Sequence, residues 1–273
     1  MKLHIITIAT DINRLAYLQY TANNFNLEIN YIILKEWRGF IDKILYINNA
    51  LKEIPDNDLV CFIDAYDVLI NTDYNEIIKK FMEYDCDLLF GAELNCYPNK
   101  YKKELDEINK SINNYKYPNS GGYIGYKYAI VELFSWKDIN QIYEITLDGG
   151  DQSYFIEYYI SKMKDGLEKS DKESEKSDKI TLKLDYQCKI FQNFYFVSWD
   201  EVEIKNGNVY NIILNEKPCF LHFNGFSYRT HDDKIILEAL IYKMLLSKNN
   251  GEILNLNEYK QYQSEEYFIH PQV

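Results

Sequence analysis

Short apolar runs alternate with amphipathic segments through the first third of the chain. We expect strands at residues 3–9, 28–34, 59–64 and 86–92, because short apolar runs bounded by polar turns are typical of buried strands. We expect helices at residues 12–24, at 43–51 and after Asp73, where apolar residues recur at helical spacing. Strand and helix therefore alternate, which predicts a mostly parallel sheet flanked by helices, an α/β fold.

The pattern is less regular after residue 95. Residues 95–119 are polar and predict a surface segment, helical in part, close to the site. Later segments predict, in order, a tight turn at Ser120-Gly-Gly122, a strand at 123–126, a helix ending at Trp136, a helix at 153–163, β structure over 180–213 with a hairpin turn at Asn206-Gly207, a strand at 218–225 and a helix at 234–246.

Residues 164–179 form a charged, low-complexity run, which we expect to be a flexible loop with no catalytic part. We expect residues 1–230 to form a single domain with a β-rich C-terminal part. Residues 231–273 would add a helix and a tail packed on it.

Composition and charge exclude several classes of protein. The chain has 273 residues and a net charge of −12, which argues against a binder of nucleic acid or of anionic membranes. It has no run of eighteen apolar residues, so we expect no transmembrane segment. The N-terminal run lacks the features of a signal peptide, and the five cysteines are scattered and odd in number. We therefore expect reduced thiols and a cytoplasmic type of protein.

Two carboxylates, Asp64 and Asp67, follow the apolar run at 59–63, with Tyr66 between them. Carboxylates at the carboxyl end of a buried strand lie where open α/β sheets bind ligands. Hard oxygen ligands there suit Mg²⁺ or Mn²⁺, which share their remaining coordination with substrate phosphates. The alternative is that Asp64 caps the strand and Asp67 caps a turn. From these residues alone the two interpretations are about equally supported.

Two further polar clusters follow predicted strands or open helices. One contains Asp148, Asp151 and Gln152, and the other contains His222 and Asn224. A lone histidine in an apolar strand is more often a core residue than a metal ligand. The glycine-rich fingerprints of dinucleotide-binding and P-loop proteins are both absent, which argues against those two classes. An α/β sheet with two carboxylates after a strand is what a metal-assisted nucleotide-sugar transferase needs.

The chain resembles the glycosyltransferase domain of the multifunctional collagen lysyl hydroxylases, and more distantly the collagen galactosyltransferases. Seven blocks carry this resemblance in the family's order, between residues 3 and 229: residues 7–10, 62–69, 91–93 with 97–98, 119–126, 151–152, 184–185 with 188–193, and 222 with 224–225.

The resemblance implies a GT-A fold, a UDP-sugar donor and a Mn²⁺ ion. It implies that the metal is bound by Asp64, Asp67 and His222. It implies that the donor is bound by Thr10 and Tyr66 along the uridine and ribose, by Asn224 and Gly225 near the diphosphate, and by Lys43. Asp151 matches an acidic residue near the transferred sugar, and we assign a catalytic or acceptor-orienting role to it, with its neighbour Gln152.

The chain also departs from the family pattern. Gly150 stands where the family has a second acidic residue, and the glycine-rich stretch before Lys43 is missing. The turn after His222 contains Phe223, and the lysine that follows it in the family is replaced by a shifted Arg229. These differences leave room for another donor preference.

The resemblance implies transfer of a hexose, glucose before galactose, to hydroxylysine or galactosyl-hydroxylysine of a collagen-like polypeptide. The acidic surface suits a lysine-rich acceptor. Because no hydroxylase region follows, we expect a free-standing transferase. Two alternatives remain: a transferase of the same fold with a non-collagen glycan acceptor, and a non-catalytic UDP-sugar-binding protein. The sequence does not indicate an oligomeric state.

Overall fold

A computed structural model describes residues 1–169, 180–225, 240–245, 247–249, 251 and 253–255. Its centre is a six-stranded sheet with the strand order β2 (Ile29–Ile33), β1 (Leu3–Ala9), β3 (Leu59–Ile63), β6 (Tyr117–Tyr126), β5 (Leu88–Glu93) and β7 (Leu182–Asp185). Strand β6 runs antiparallel to both of its neighbours, and the other three pairings are parallel. The predicted mixed, mostly parallel α/β fold is therefore confirmed.

Helices flank this sheet. They are α1 (Ala16–Asn24), α2 (Ile41–Ala50), α3 (Tyr74–Glu83), α4 (Lys102–Ile108), α5 (Lys127–Ser135), α6 (Ile139–Thr146) and α7 (Gly150–Lys169), with short 3₁₀ turns at Ile12–Leu15, Leu51–Glu53, Asn99–Tyr101 and Trp199–Glu201. Asp73 caps α3 as expected, since its carboxylate accepts hydrogen bonds from the N–H groups of Asn75 and Glu76. Helix α6, which opens with a capping box at Asp138, was not predicted.

A second, three-stranded sheet brings remote parts of the chain to the site. Its strands are β4 (Val68–Ile70), β8 (Phe191–Asn193) and β11 (Phe220–His222). Strand β11 lies between the other two, antiparallel to β4 and parallel to β8, so that His222 pairs with Val68 on one side and Asn193 on the other. This register places the end of β11 directly beside the segment that contains Asp64 and Asp67.

A third sheet contains β9 (Val202–Lys205), β10 (Asn208–Asn211) and β12 (Ile253–Asn255). Asn206 and Gly207 connect β9 and β10 with positive φ at both positions, which confirms the predicted hairpin turn. Strand β12 pairs with β9, and Leu240 and Met244 are buried in the main core, so the described C-terminal residues pack on the preceding chain.

An aromatic core lies between the six-stranded sheet and α7. Phe62 and Tyr123 stack with their ring centroids 5.2 Å apart, and Phe155 of α7 lies 5.0 Å from Tyr123 and 5.1 Å from Phe90. Each of these rings is buried, which contributes about 2 kcal/mol per side chain. The core fixes α7 against the sheet, and with it the position of Asp151 at the start of that helix.

Two elements, β6 and α7, extend beyond the bounds that the sequence predicts. Strand β6 begins at Tyr117, so Gly121 and Gly122 lie inside a strand rather than in a turn before it. Helix α7 continues to Lys169, so residues 164–169 are helical rather than part of the predicted flexible loop, whose remaining residues 170–179 lie outside the described chain. Residues 240–245 are helical as predicted, whereas 234–239 and 246 are also outside the described residues. Within the described residues, no helix has the length and apolar character to cross a membrane.

Candidate active site

Asp64, Asp67 and His222 converge at one point of the molecule. One ligand atom from each lies within 4.8 Å of the others, with His222 Nε2 3.2 Å from Asp67 Oδ2 and 3.6 Å from Asp64 Oδ2. Ligand atoms about 2.1 Å from a single ion lie roughly 3 to 4 Å apart, so this spacing fits one shared cation. The two carboxylates suit a hard divalent cation such as Mg²⁺ or Mn²⁺, and the imidazole adds a nitrogen ligand of the kind that transition metals bind.

The two sheets explain why these three side chains meet. Asp64 follows β3 of the large sheet, and its N–H donates to the carbonyl of Gly121 in β6. Asp67 precedes β4, and its carbonyl accepts a hydrogen bond from the N–H of Phe223, which continues the pairing of β4 with β11. His222 ends β11 and is buried. Burial by itself would lower the pKa of His222, but the carboxylates of Asp67, Asp64 and Glu93 outweigh burial and raise it.

Lys43 and Asp151 extend the cluster. The Lys43 ammonium, on α2, lies 2.6 Å from Asp64 Oδ1 and 3.1 Å from Asp151 Oδ2. Burial of the ammonium favours its neutral form, but the carboxylates of Asp151 and Asp64 outweigh burial and raise the pKa of Lys43. Asp151 is buried in the first turn of α7, where the helix dipole also favours a carboxylate. Lys43 therefore contacts two other predicted site residues, Asp151 and Asp64. Asp64 in turn lies beside a fourth, His222.

Thr10 and Tyr66 meet at the neighbouring edge of the sheet. The Tyr66 hydroxyl oxygen accepts hydrogen bonds from the N–H groups of Thr10, at 2.7 Å, and of Asp11, at 2.9 Å. The Arg14 guanidinium lies 4.1 Å above the centre of the Tyr66 ring. The end of β1 and the segment between the two aspartates are thereby held together.

Gln152 and Asn224, both predicted site residues, use their side chains to bind other parts of the protein. Gln152 accepts from the N–H of Ser120 and donates to the Pro118 carbonyl and to Glu93. Asn224 accepts from the N–H of Tyr195 and donates to Glu93. Both N–H groups of the Gln152 amide are thus committed within the protein, and its predicted catalytic role stays a prediction.

Glu93 is the common partner of these amides, and nothing in the sequence indicates its role beyond its place in a matching block. Its carboxylate accepts hydrogen bonds from the side-chain amides of Asn119, Gln152 and Asn224, at 2.8 to 2.9 Å. Burial raises the pKa of Glu93 to about 7, although these three donors favour the charged form. A single buried carboxylate thus joins β6, α7 and the turn after His222.

Glycines make room for the side chains of His222 and Asp64. A Cβ atom on Gly121 would lie 2.2 Å from His222 Cε1 and 2.7 Å from Asp64 Oδ2. A Cβ atom on Gly122 would instead lie 2.6 Å from the ring of Phe191. The adjacent glycines therefore serve close packing within the strand, whereas the sequence predicted a tight turn.

Two other glycines shape turns at the site. Gly225, directly after Asn224, has a φ of +76°, and Gly150, directly before Asp151, has a φ of +66°. L side chains rarely adopt this conformation. At position 150 a side chain would also meet the ring of Phe40, because a Cβ atom would lie 2.9 Å from its Cδ2. An acidic residue at position 150 would therefore be strained and would require Phe40 to move.

The chain matches the family described as the PLOD GT domain over residues 1–233. It is 29% identical to procollagen-lysine,2-oxoglutarate 5-dioxygenase of Drosophila melanogaster over 247 residues, which are 83% of this chain and 31% of that protein. It is 28% identical over 245 residues to the human multifunctional procollagen lysine hydroxylase and glycosyltransferase LH3, covering 82% of this chain and 30% of LH3. The chain thus matches less than a third of the length of these two relatives.

Similar solved structures include the galactosyltransferase LgtC in complex with donor and acceptor sugar analogues, with a TM-score of 0.43, 12% identity, and coverage of 94% of this chain and 99% of LgtC. Mouse xyloside xylosyltransferase 1 also has a TM-score of 0.43, with 13% identity and coverage of 82% and 98%. Both similarities are distant. The sequence match over residues 1–233 spans all of the site residues described above, and the chain belongs to the PLOD GT domain family of glycosyltransferases.

Proposed function

We propose that the chain is a Mn²⁺-dependent hexosyltransferase that uses a UDP-sugar, glucose before galactose, and acts on hydroxylysine or galactosyl-hydroxylysine of a collagen-like polypeptide. The observation that carries the proposal is the convergence of Asp64, Asp67 and His222 at strand ends, with the Lys43–Asp151 ion pair beside them. Family membership supports the transfer of a sugar, and the name of human LH3 combines glycosyltransferase with procollagen lysine hydroxylase.

Asp64, Asp67 and His222 would hold the Mn²⁺ ion. When bound, the ion would supply positive charge to stabilise the leaving diphosphate of UDP. The Lys43 ammonium keeps the carboxylates of Asp64 and Asp151 in place, since it contacts both. It also adds a second positive charge close to the point where the diphosphate would carry negative charge.

Asp151 would act at the transferred sugar. Its carboxylate is buried and paired with Lys43, so it can orient an acceptor hydroxyl or oppose positive charge at the anomeric carbon. We assign Gln152 a supporting role instead, because its amide holds the backbone of β6 at Pro118 and Ser120. It positions the strand that passes behind Asp64.

Thr10 and Tyr66 would bind the nucleoside of the donor, and the turn at Asn224 and Gly225 would bind the diphosphate. The Asn224 side chain is committed to Glu93 and Tyr195, so we assign the contribution of this turn to its backbone. The net charge of −12 favours a lysine-rich acceptor polypeptide.

A panel of UDP-sugars tests the proposal. Purified protein is incubated with Mn²⁺ and each donor, with or without a hydroxylysine-bearing collagen peptide or its galactosylated form, and both UDP release and the glycosylated peptide are measured. We expect transfer from UDP-glucose or UDP-galactose. Transfer to other glycans alone would refute the collagen acceptor. Binding of UDP without any turnover would refute the enzymatic function.

A further inference from the structure

Asn193 lies directly behind the proposed metal ligand His222. It ends β8, and the parallel register of β8 with β11 pairs it with His222. Its side-chain Oδ1 is 2.6 Å from His222 Nδ1, and both side chains are buried. The imidazole therefore has one nitrogen against Asn193 and the other, Nε2, against Asp67 and Asp64.

The orientation of the Asn193 amide is set by its second contact. Its Nδ2 donates to the carbonyl oxygen of Ala92 in β5 at 2.8 Å. A carbonyl oxygen only accepts hydrogen bonds, so the NH₂ group must face Ala92 and Oδ1 must face His222. Because Oδ1 also only accepts, the hydrogen of this contact must come from His222 Nδ1.

This arrangement decides which nitrogen of His222 can bind a metal. A neutral imidazole carries one proton, and a proton on Nδ1 leaves the lone pair on Nε2. Nε2 is the atom that faces the two carboxylates. Hydrogen bonds of this kind to the distal nitrogen fix the tautomer and ring orientation of metal-binding histidines, and their removal commonly weakens metal binding about 10- to 100-fold.

We infer that Asn193 is a positioning residue that holds His222 as the Nδ1–H tautomer and aims Nε2 at the cation site. The assignment of a cation to that site rests on the proposed function, whereas the tautomer itself does not. The carbonyl of Ala92 sets the orientation of the Asn193 amide. The Asn193 amide in turn sets the orientation of the His222 imidazole.

The tautomer can be measured without a metal. Protein labelled with ¹⁵N-histidine is studied by long-range ¹H–¹⁵N NMR spectroscopy at a pH where the imidazole is neutral, and the His222 signals are assigned by their absence in His222→Gln. We expect Nδ1 to be protonated in the unchanged protein. A neutral imidazole that carries its proton on Nε2 and none on Nδ1 would overturn the inference.

Two variants then test the consequence for metal binding. Asn193→Leu removes the acceptor, whereas Gln192→Leu is a matched control, since Gln192 is an equally buried amide of β8 that bonds to Tyr115, Asn211 and the Asn193 carbonyl. Mn²⁺ affinity is measured by calorimetry. We expect a loss of about 10- to 100-fold in Asn193→Leu only. Equal affinity in the folded Asn193→Leu and Gln192→Leu proteins would overturn the inference.

The two proposals fail in different ways. An unchanged protein that binds no Mn²⁺ refutes the proposed metal site, and the NMR measurement still decides whether Asn193 fixes the tautomer. Conversely, normal Mn²⁺ binding by a protein in which His222 Nδ1 carries no proton supports the metal site and refutes the role of Asn193.

Discussion

The ammonium of Lys43 lies 3.1 Å from the carboxylate of Asp151, although 108 residues separate them in the chain. The same ammonium lies 2.6 Å from Asp64. Lys43 thus connects α2 to the start of α7 and to the proposed metal site. The buried Asp151 depends on it for charge compensation, because an isolated carboxylate in the protein interior is strongly disfavoured.

Replacing Lys43 by Met should therefore reduce both stability and turnover. Met keeps the apolar stem but leaves Asp151 and Asp64 without their cation, and we expect a loss of about 3 kcal/mol in the free energy of unfolding by urea. In the double variant Lys43→Met/Asp151→Asn, stability should largely recover, because the buried charge is gone, while turnover stays lost. Lys127→Met is the control, since Lys127 pairs with Asp56 at the surface and exposed pairs contribute less than about 1 kcal/mol. An unaltered stability of Lys43→Met would contradict the buried ion pair.

Glu93 should make the stability of the protein depend on pH. Its pKa is raised by burial from an ordinary value of 4.5 to about 7. The folded state therefore holds this proton more tightly than the unfolded state, so the contribution is fully present below pH 4.5 and is lost as pH rises to about 7. The size of the change is of order 3 kcal/mol.

The variant Glu93→Gln isolates this contribution. It cannot ionise, so we expect a smaller loss of stability between pH 4.5 and pH 7.5 than in the unchanged protein, measured by urea unfolding. Glu107→Gln, at an exposed ion pair with Lys110, should behave like the unchanged protein. Identical pH profiles for Glu93→Gln and the unchanged protein would show that folding does not raise the pKa of Glu93.

Much of the fold was predictable because its signals are local. The apolar runs predicted the bounds of β1 and β3 closely, and Asn206-Gly207 predicted the hairpin. Each of these elements depends on residues that are adjacent in sequence. Strand β6 was truncated in the prediction because Gly121 and Gly122 are typical of a turn. Their real role depends on His222 and Phe191, which are distant in sequence and fill the space that a Cβ atom would need.

The candidate site was predictable where it resembles a known family and not where it depends on packing. The residues Asp64, Asp67, His222, Lys43 and Asp151 were named from sequence, and the structure brings them together. The roles of Glu93 and Asn193 follow from hydrogen bonds that span up to 131 residues. No pattern along the chain shows which amides a buried carboxylate will meet. The same holds for Gln152, whose side chain bonds to two strands that are distant in sequence, at Pro118 and Ser120 of β6 and at Glu93 of β5.

The adjacent glycines of β6 should respond differently to the same substitution. In Gly121→Ala the added methyl group meets His222 and Asp64, so we expect Mn²⁺ affinity to fall at least tenfold. In Gly122→Ala it meets the ring of Phe191 in the core, so we expect a loss of about 1 to 3 kcal/mol in stability. Calorimetric titration and urea unfolding of both variants check this contrast. A similar loss of Mn²⁺ affinity in the two folded variants would contradict it.

Adding Mn²⁺ should stabilise the protein, and removing it with a chelator should reverse the effect. A ligand that binds only the folded state at a concentration 100 times its Kd adds about 2.7 kcal/mol, which for a chain of this size raises Tm by roughly 5 °C or more. The shift should disappear in Asp67→Asn, which lacks one of the three charged or basic ligands of the site. Asp58→Asn is a matched control, because Asp58 also contacts a histidine, with His4 Nε2 3.0 Å from Oδ2, but belongs to no cluster of three ligands among the described residues. Differential scanning fluorimetry with Mn²⁺ and with EDTA measures these shifts. If Asp67→Asn is stabilised as much as Asp58→Asn, the ion binds elsewhere and the proposed metal site is wrong.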